Sequence, residues 1–382
     1  MTHDVLGLAQ ALIRCASVTP ADAGAQDVLA ESLAALGFTI HRLPFGQAPD
    51  GPVENLFATI GSGAPHFAYA GHTDVVPTGD AAHWSVDPFA AEVANGRLVG
   101  RGAADMKGSI AAFVAATARH VERGATGRLS LIITGDEEGP ATFGTAPMLA
   151  WLEANDLVPD LCLVGEPTSA QTLGDTIKIG RRGSLNAWIA INGAQGHVAY
   201  PHRADNPATR LVALLAALKA RVLDTGSDWF DASNLEITDI HIGNPATNVI
   251  PAQAHARINI RFNDNHTGAE LETWVREATA AHAPSADVTV KTSGEAFLTK
   301  PGAFSDIVAA AVTAVTGITP ELSTSGGTSD ARFIRRLCPV VEFGLPGASM
   351  HKIDESVAVA DLAALVDIFD AVLLRVFAPP VG

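Results

Sequence analysis

The stretch Leu129-Ser-Leu-Ile-Ile-Thr-Gly-Asp-Glu-Glu-Gly139 decides the fold of this chain. Its first six residues form an almost continuous apolar run, which is typical of a β-strand covered on both faces. A glycine and three carboxylates follow the run directly. Because ligands bind beyond the carboxyl ends of the strands in open α/β sheets, this stretch predicts a functional site at the end of a buried strand.

Helix and strand patterns alternate on both sides of this run. The alternation predicts an α/β fold with a mostly parallel sheet. The predicted strands cover residues 55–60, 66–70, 161–164 and 340–343, and the predicted helices cover residues 26–36, 108–122, 303–316 and 361–377.

The middle of the chain has a different pattern. Strands are predicted at residues 184–192, 235–242 and 254–262, with helices at 206–223 and 268–281. This indicates the β-α-β-β-α-β order of a ferredoxin-like unit. We therefore expect a catalytic domain at residues 1–181 and 295–382, interrupted by an inserted ferredoxin-like α+β domain at residues 182–294.

Composition excludes several classes of function. The formal net charge of −16 argues against a nucleic-acid-binding surface. No apolar run reaches the roughly 20 residues of a membrane span, and the amphipathic start of the chain is unlike a signal peptide. Three cysteines lie far apart without a CxxC pair, which favours free thiols in a reducing compartment. We expect a cytoplasmic protein that binds neither nucleic acid nor membrane.

Metal-capable side chains lie beside glycines at five places far apart in the sequence, mostly just after predicted strands. Each residue taken alone is more simply explained as a helix cap or a solvated charge. The set taken together favours a functional site, because the neighbouring glycines allow close backbone approach and turns that direct side chains into one cleft. One histidine with two carboxylates per ion suits zinc, and a shared aspartate would bridge two ions. The residues are His72, Asp105, Glu138, Glu166 and His351.

The adjacent pair Glu137-Glu138 predicts two separate roles. Neighbouring residues of an extended chain point in opposite directions, so that one carboxylate can bind a metal while the other faces a water molecule. Asp74 lies two residues after His72, on the same side, and is expected to orient its imidazole.

Longer motifs around these residues resemble the co-catalytic zinc exopeptidase and deacylase family, which includes acetylornithine deacetylases, carboxypeptidase G and aminoacylases. Later stretches, including Ile179-Gly-Arg-Arg-Gly-Ser184 and Gly326-Gly-Thr-Ser-Asp-Ala-Arg-Phe333, resemble the members that remove succinate from diaminopimelate. The metal motifs are Gly71-His-Thr-Asp-Val-Val-Pro77, Gly100-Arg-Gly-Ala-Ala-Asp-Met-Lys-Gly108, Gly135-Asp-Glu-Glu-Gly139 and Val164-Gly-Glu-Pro-Thr168.

The resemblance implies two Zn²⁺ ions per subunit, with Co²⁺ as a substitute. One ion is bound by His72, Asp105 and Glu166, and the other by Asp105, Glu138 and His351. Glu137 is implied to be the general base, Asp74 to orient His72, and the Asp105–Met106 peptide bond to be cis.

The same resemblance implies a homodimer formed through the inserted domain, in which the partner subunit inserts its own His197 to complete the site. The Arg181-Arg182 pair would supply the positive charge that an anionic substrate needs in an acidic chain. The implied substrate contacts are Arg181, Ser184, Tyr200, Asn248, Arg261, Gly327 and Thr328.

The implied reaction is hydrolysis of the amide bond of N-succinyl-L,L-2,6-diaminopimelate to succinate and L,L-diaminopimelate, by a zinc-activated water. The alternatives are deacetylation of N-acetylornithine, hydrolysis of a broader range of N-acyl amino acids, or a metal-binding interaction protein without catalysis. Retention of Glu137, which binds no metal, counts against the last. Thr247 and Gly347 depart from the family pattern, which has asparagine at both positions.

Overall fold

The computed structural model of the protein describes residues 4–48, 51–124 and 126–378. The helices are α1 (Val5–Arg14), α2 (Ala25–Ala35), α3 (Gly108–Glu122), α4 (Thr145–Ala154), α5 (Pro207–Ala220), α6 (Gly268–His282), α7 (Ala303–Thr316), α8 (Ala331–Ile334) and α9 (Val359–Val376).

The strands are β1 (Thr39–Arg42), β2 (Leu56–Ser62), β3 (His66–His72), β4 (Glu92–Ala94), β5 (Arg97–Val99), β6 (Gly127–Thr134), β7 (Leu161–Val164), β8 (Thr176–Lys178), β9 (Gly180–Arg181), β10 (Gly183–Asn192), β11 (Gly196–His197), β12 (Asn234–His241), β13 (Val249–Ile250), β14 (Gln253–Phe262), β15 (Ala286–Gly294), β16 (Phe297–Leu298), β17 (Glu321–Ser323), β18 (Val340–Glu342) and β19 (Ser356–Ala358).

Backbone contacts divide the chain into two units. The first runs to Ile179 and continues through Thr299–Ser323 and from Ser329 onward. The second comprises Gly180–Leu298 and Thr324–Thr328.

The first unit is built on an eight-stranded sheet with the order β1-β2-β6-β3-β7-β18-β8-β17. The central strands β6, β3, β7 and β18 are mutually parallel, as the alternation of helices and strands predicted. The pairs β1–β2 and β2–β6 are antiparallel. β1 and β2 are joined without a helix, and strands joined in that way pair antiparallel. The sheet is therefore parallel at its centre and mixed towards its edges.

Small side chains allow close packing of this sheet. α3 begins and ends at the predicted residues, and all but three of its residues are buried. Its alanines let the helix lie between other elements, and it packs against α9, which covers it. All seven residues of β3 are buried, so the polar side chain that ends the strand, His72, lies at the edge of an apolar core.

The second unit has the predicted β-α-β-β-α-β order, formed by β10, α5, β12, β14, α6 and β15. Its four strands form an antiparallel sheet in the order β12-β14-β10-β15. Alternate residues of β10 and β14 are buried with residues of α5 and α6, including Leu211 and Leu271. Asn206 caps the start of α5, and a capping box at Thr267 starts α6.

No helix among the residues that the structure describes is long and apolar enough to cross a membrane.

The core of the second unit generates a stability prediction. Ile258 in β14 is fully buried in the apolar cluster. Its replacement by alanine removes several methyl groups and leaves a cavity, so we expect Ile258→Ala to lower the free energy of unfolding by about 2–5 kcal/mol. Arg257→Ala, on the exposed face of the same strand, is the matched control. Urea denaturation measures both, and an equal loss in the two variants would contradict this description of the core.

Candidate metal centre

Three of the predicted ligands meet at the end of β3. His72 is the last residue of that strand, and its Nε2 lies 3.1 Å from Oδ1 of Asp105 and 4.0 Å from Oε1 of Glu166. All three residues are buried, and one ligand atom from each lies within 4.8 Å of the others. One imidazole and two carboxylates at this separation form a donor set that suits a divalent zinc-like ion.

A second group of three lies on the other side of Asp105. Nε2 of His351 is 3.1 Å from Oδ2 of Asp105 and 2.9 Å from Oε1 of Glu138. Asp105 thus directs one carboxylate oxygen at each histidine. A carboxylate shared in this way is the arrangement that bridges two ions, and the structure brings together all five predicted ligands.

Strand ends and irregular turns place these side chains. Glu138 follows β6, Glu166 follows β7, and β3, β6 and β7 are neighbours in the parallel part of the sheet. Asp105 has an extended backbone, with φ −121° and ψ 94°, inside the turn Ala103–Lys107. The Asp105–Met106 peptide bond is cis, as expected from the sequence. His351 has a φ of 61°, a left-handed conformation that non-glycine residues adopt rarely and mostly at functional sites.

Two glycines let the backbones of these loops approach each other. A Cβ on Gly344 would lie 2.5 Å from the carbonyl oxygen of Glu166, and one on Gly347 would lie 2.7 Å from that of Pro167. Gly347 stands where the family pattern has asparagine. In this chain the loop that leads to His351 therefore passes too close to the Glu166 loop for a side chain at residue 347 to fit without a shift.

Asp74 contacts more than the histidine that it was predicted to orient. The nearer partner of His72 Nδ1 is the backbone carbonyl of Asp74, at 2.9 Å, while the Asp74 carboxylate lies 3.6 Å away. That carboxylate accepts hydrogen bonds from the backbone N–H groups of Glu137 and Glu138, at 3.2 Å and 2.9 Å. Asp74 therefore connects the end of β3 to the turn that carries the two glutamates.

The surroundings of Glu137 favour its protonated form. Burial and the nearby negative charge of Glu166 raise the pKa of Glu137 well above its ordinary value. An oxygen of Glu137 also lies within 4.8 Å of ligand atoms of His72 and Glu138. The side chain of Glu137 thus lies next to two of the candidate ligands.

His72, Asp105 and His351 form a hydrogen-bonded chain. Hydrogen bonds with Asp105 and Glu138 raise the pKa of His351 to about 10. Although burial opposes it, hydrogen bonds from His351 and His72 hold the pKa of Asp105 below its ordinary range. A metal ion must displace these protons, so metal affinity depends on pH.

Sequence reasoning missed two buried residues beside this group. Oε1 of Glu355 accepts hydrogen bonds from the backbone N–H groups of Ala104 and Asp105, at 2.9 Å and 3.1 Å. Arg101 donates to Oε2 of the same carboxylate at 2.8 Å. Arg101 lies within the quoted motif around Asp105, but nothing in the sequence pairs it with a residue more than 250 positions away.

The predicted substrate-binding residues belong to the second unit. Arg181 is 8% exposed and donates to the carbonyl of Gly327 at 3.2 Å, while the buried Ser184 accepts a hydrogen bond from Asn259. Arg261 is partly buried, and burial followed by the charge of Arg182 lowers its pKa.

The remaining predicted residues of that unit lie nearer the solvent. His197, Tyr200 and Asn248 are exposed, with the rings of His197 and Tyr200 5.7 Å apart. Thr328 is half-buried. None of the residues predicted to contact substrate is among the described groups that could hold a metal ion.

Solved structures with this fold are found among metallopeptidases. A tripeptidase from Staphylococcus aureus superposes with a TM-score of 0.80 over 98% of each chain, at 20% sequence identity. A dinuclear metal-binding peptidase of the M20 family from Bacillus subtilis superposes with a TM-score of 0.72 at 16% identity, over 98% of this chain and 97% of the peptidase. At these identities the likeness establishes the fold.

Relatives at high identity extend over the whole chain. The succinyl-diaminopimelate desuccinylase of Rhizorhabdus wittichii is 61% identical over 377 residues, which cover 99% of each chain. That of Novosphingobium aromaticivorans is 61% identical over 373 residues, 97% of this chain and 98% of the relative. The sequence profile of peptidase family M20/M25/M40 matches residues 68–375. The chain therefore belongs to peptidase family M20/M25/M40.

Proposed function

We propose that this chain hydrolyses the amide bond of N-succinyl-L,L-2,6-diaminopimelate, which yields succinate and L,L-diaminopimelate for lysine and cell-wall biosynthesis. The relatives that carry this activity in their names match the chain from end to end. The observation that carries the proposal is the carboxylate of Asp105, whose two oxygens face the two histidines of a five-ligand group. Location in the cytoplasm remains a prediction from the sequence.

The five ligands would hold two Zn²⁺ ions, with Co²⁺ as a substitute. When bound, such a pair lowers the pKa of a water molecule and polarises the amide carbonyl. Histidine and carboxylate ligands fit this assignment, since zinc prefers nitrogen and oxygen donors in such sites. The acidic chain makes the assignment electrostatically consistent, because the ions bring local positive charge to a protein with a net charge of −16.

Glu137 performs the proton transfers. Its carboxylate takes a proton from the attacking water and returns it to the nitrogen of the leaving amine, so that the C–N bond breaks without expelling an amide anion. A raised pKa makes the ionised Glu137 a stronger base towards water and lets it hold the proton between the two transfers. Asp74 keeps the Glu137 backbone in place through the hydrogen bond that it accepts.

The second unit supplies the substrate contacts and the dimer contact. Arg181, with Ser184 and Arg261, binds the carboxylates of the substrate, and Tyr200, Asn248, Gly327 and Thr328 contact the rest of the molecule. A guanidinium grips a carboxylate through two parallel hydrogen bonds. His197 of one subunit reaches the active site of its partner in a homodimer and stabilises the tetrahedral oxyanion.

The division of roles between the two adjacent glutamates is testable by substitution. Glu137→Ala should retain two zinc ions per chain but lose turnover by roughly 100- to 10,000-fold, because it removes general acid–base catalysis and no ligand. Glu138→Ala is the matched control and should lose one ion. Zinc is measured by elemental analysis of the metal-saturated protein, alongside succinate release. If Glu137→Ala lost an ion and Glu138→Ala lost none, the two assignments would have to be exchanged.

Selectivity tests the role of Arg181. An N-acetyl substrate lacks the terminal carboxylate of the succinyl group and would forgo a charged contact with the buried Arg181 guanidinium. We expect Arg181→Ala to lower kcat/KM for N-succinyl-diaminopimelate by at least about 30-fold and to affect N-acetyl-diaminopimelate much less. Arg181→Lys should rescue poorly, since lysine cannot form two parallel hydrogen bonds.

Arg257→Ala is the control for this experiment. Arg257 lies on the exposed face of β14, donates to the side chain of Thr238 and carries the same charge, so its loss should leave the ratio of the two substrates close to native. Equal losses on both substrates in Arg181→Ala would show that this residue does not recognise the succinyl carboxylate.

Hybrid dimers test whether His197 of one subunit completes the active site of its partner. Glu137→Ala and His197→Ala should each be nearly inactive alone. In a mixture, a hybrid dimer contains one complete site, formed by the Glu137 of one chain and the His197 of the other. Equal mixing should restore about a quarter of the native activity, because half of the dimers are hybrids with one working site of two.

A mixture of His197→Ala with the double variant Glu137→Ala/His197→Ala is the control and should recover nothing. Full activity of His197→Ala by itself, or no recovery in hybrids purified through two different affinity tags, would refute the exchange.

A further inference from the structure

A buried ion pair contacts the chain directly beside two of the candidate metal ligands, Asp105 and His351. The side chains of Arg101 and Glu355 are 3% and 0% exposed, and Nη1 of Arg101 lies 2.8 Å from Oε2 of Glu355. Neither side chain belongs to the groups of described residues that could hold a metal ion. The pair therefore lies next to the centre without being part of it.

Glu355 holds the turn that carries the shared aspartate. Its Oε1 accepts hydrogen bonds from the backbone N–H groups of Ala104 and Asp105, and its Oε2 accepts from that of Gly102 at 3.1 Å. Three backbone donors of one turn thus converge on a single carboxylate. Asp105 has an extended backbone inside this turn. These hydrogen bonds hold that backbone in place and so set the position of the Asp105 side chain.

Arg101 also donates hydrogen bonds to two other segments. Its Nη1 donates to the carbonyl oxygen of Lys352, next to His351, at 3.2 Å, and its Nη2 donates to that of Pro77 at 3.3 Å. The guanidinium also lies over the ring of Trp84, 5.2 Å from its centroid. A planar fork of donors can contact several acceptors in fixed directions, which an ammonium group cannot do.

We propose that the Arg101–Glu355 pair is a positioning device that sets Asp105 and His351 at the separation needed by the ion they share with Glu138. This inference rests on the proposed two-metal function. Two of the three ligands of that ion lie in segments that the pair contacts directly. Of the ligands His72, Asp105 and Glu166, only Asp105 has such a contact, because the bond from Arg101 to Pro77 lies five residues beyond His72. Loss of the pair should therefore weaken the binding of the ion held by Asp105, Glu138 and His351 more than that of the ion held by His72, Asp105 and Glu166.

Glu355→Gln is the sharpest variant, because it keeps the size and shape of the side chain. Each carboxylate oxygen accepts from two donors, so whichever oxygen becomes the amide NH₂ faces two N–H groups and leaves them unpaired. Arg101→Lys is the milder second variant, which keeps the charge and loses the fork. Neither change removes a metal ligand.

Calorimetric titration of the metal-free proteins with Zn²⁺ measures the effect. Loss of a residue that orients metal ligands typically costs about 10- to 100-fold in metal affinity, and we expect a loss of that size at one of the two sites in both variants. The reference proteins are His351→Ala and His72→Ala. The isotherms of Glu355→Gln and Arg101→Lys should move towards that of His351→Ala and away from that of His72→Ala.

Turnover provides a second readout that a merely structural role would not give. Since all ligands and Glu137 remain, raising the Zn²⁺ concentration should restore kcat in Glu355→Gln and Arg101→Lys. The same excess of Zn²⁺ should not restore Glu137→Ala. Persistent loss of kcat at saturating Zn²⁺ would contradict a role in placing the ligands.

Asp224→Asn is the matched control. Asp224 also accepts hydrogen bonds from backbone N–H groups, those of Gly226 and Ser233, but lies in the second unit. Its loss should leave the zinc isotherm unchanged. If Glu355→Gln does not fold, Arg101→Lys decides the question by itself.

The outcomes separate the two proposals. A native chain that binds fewer than two ions would refute the proposed two-metal function. A native chain that binds two ions, with native-like isotherms for both variants, would overturn the positioning role alone. Equal weakening of both ions would overturn it as well, because the contacts of the pair predict unequal effects.

Discussion

The arrangement of this site depends on the carboxylate of Asp105, which contacts a histidine with each of its two oxygens. Oδ1 of Asp105 faces His72, and Oδ2 faces His351. A carboxylate has two equivalent oxygens with fixed separation, so a single residue at this place would set the distance between two bound ions. Every neighbouring feature serves that placement: the parallel strands that end beside it, the glycines that let the loops approach, and the hydrogen bonds that hold its turn.

Burial and charge together define the chemistry. The central carboxylates lie at the edge of an apolar core, where desolvation penalises a negative charge. The pKa values of Asp105 and Glu137 respond to this penalty in opposite directions. Asp105 keeps its charge because histidines donate to it, whereas the pKa of Glu137 rises. Environments that shift the pKa values of two titratable groups in opposite directions allow an enzyme to use the groups for different tasks.

The second unit contributes a different kind of group. Cationic side chains are found there, at Arg181, Arg182 and Arg261, in a chain with an excess of acidic residues. Its fold is independent of the metal ligands, since its core consists of its own sheet and two helices. The residues predicted to contact substrate thus lie in a unit that folds around a core of its own, apart from the candidate metal ligands.

Local patterns are enough to predict the α/β class, the β-α-β-β-α-β order of the middle segment and the identity of the side chains that gather around Asp105. These follow from local periodicity and from motifs that are contiguous in the chain. Three relations became visible only in the folded chain. β1 and β2 pair antiparallel, the Asp74 carboxylate accepts hydrogen bonds from the backbone of both glutamates, and Glu355 binds both Arg101 and the backbone of Asp105. These relations connect residues tens to hundreds of positions apart, and no local pattern of residue types records which distant carboxylate will meet which backbone N–H group.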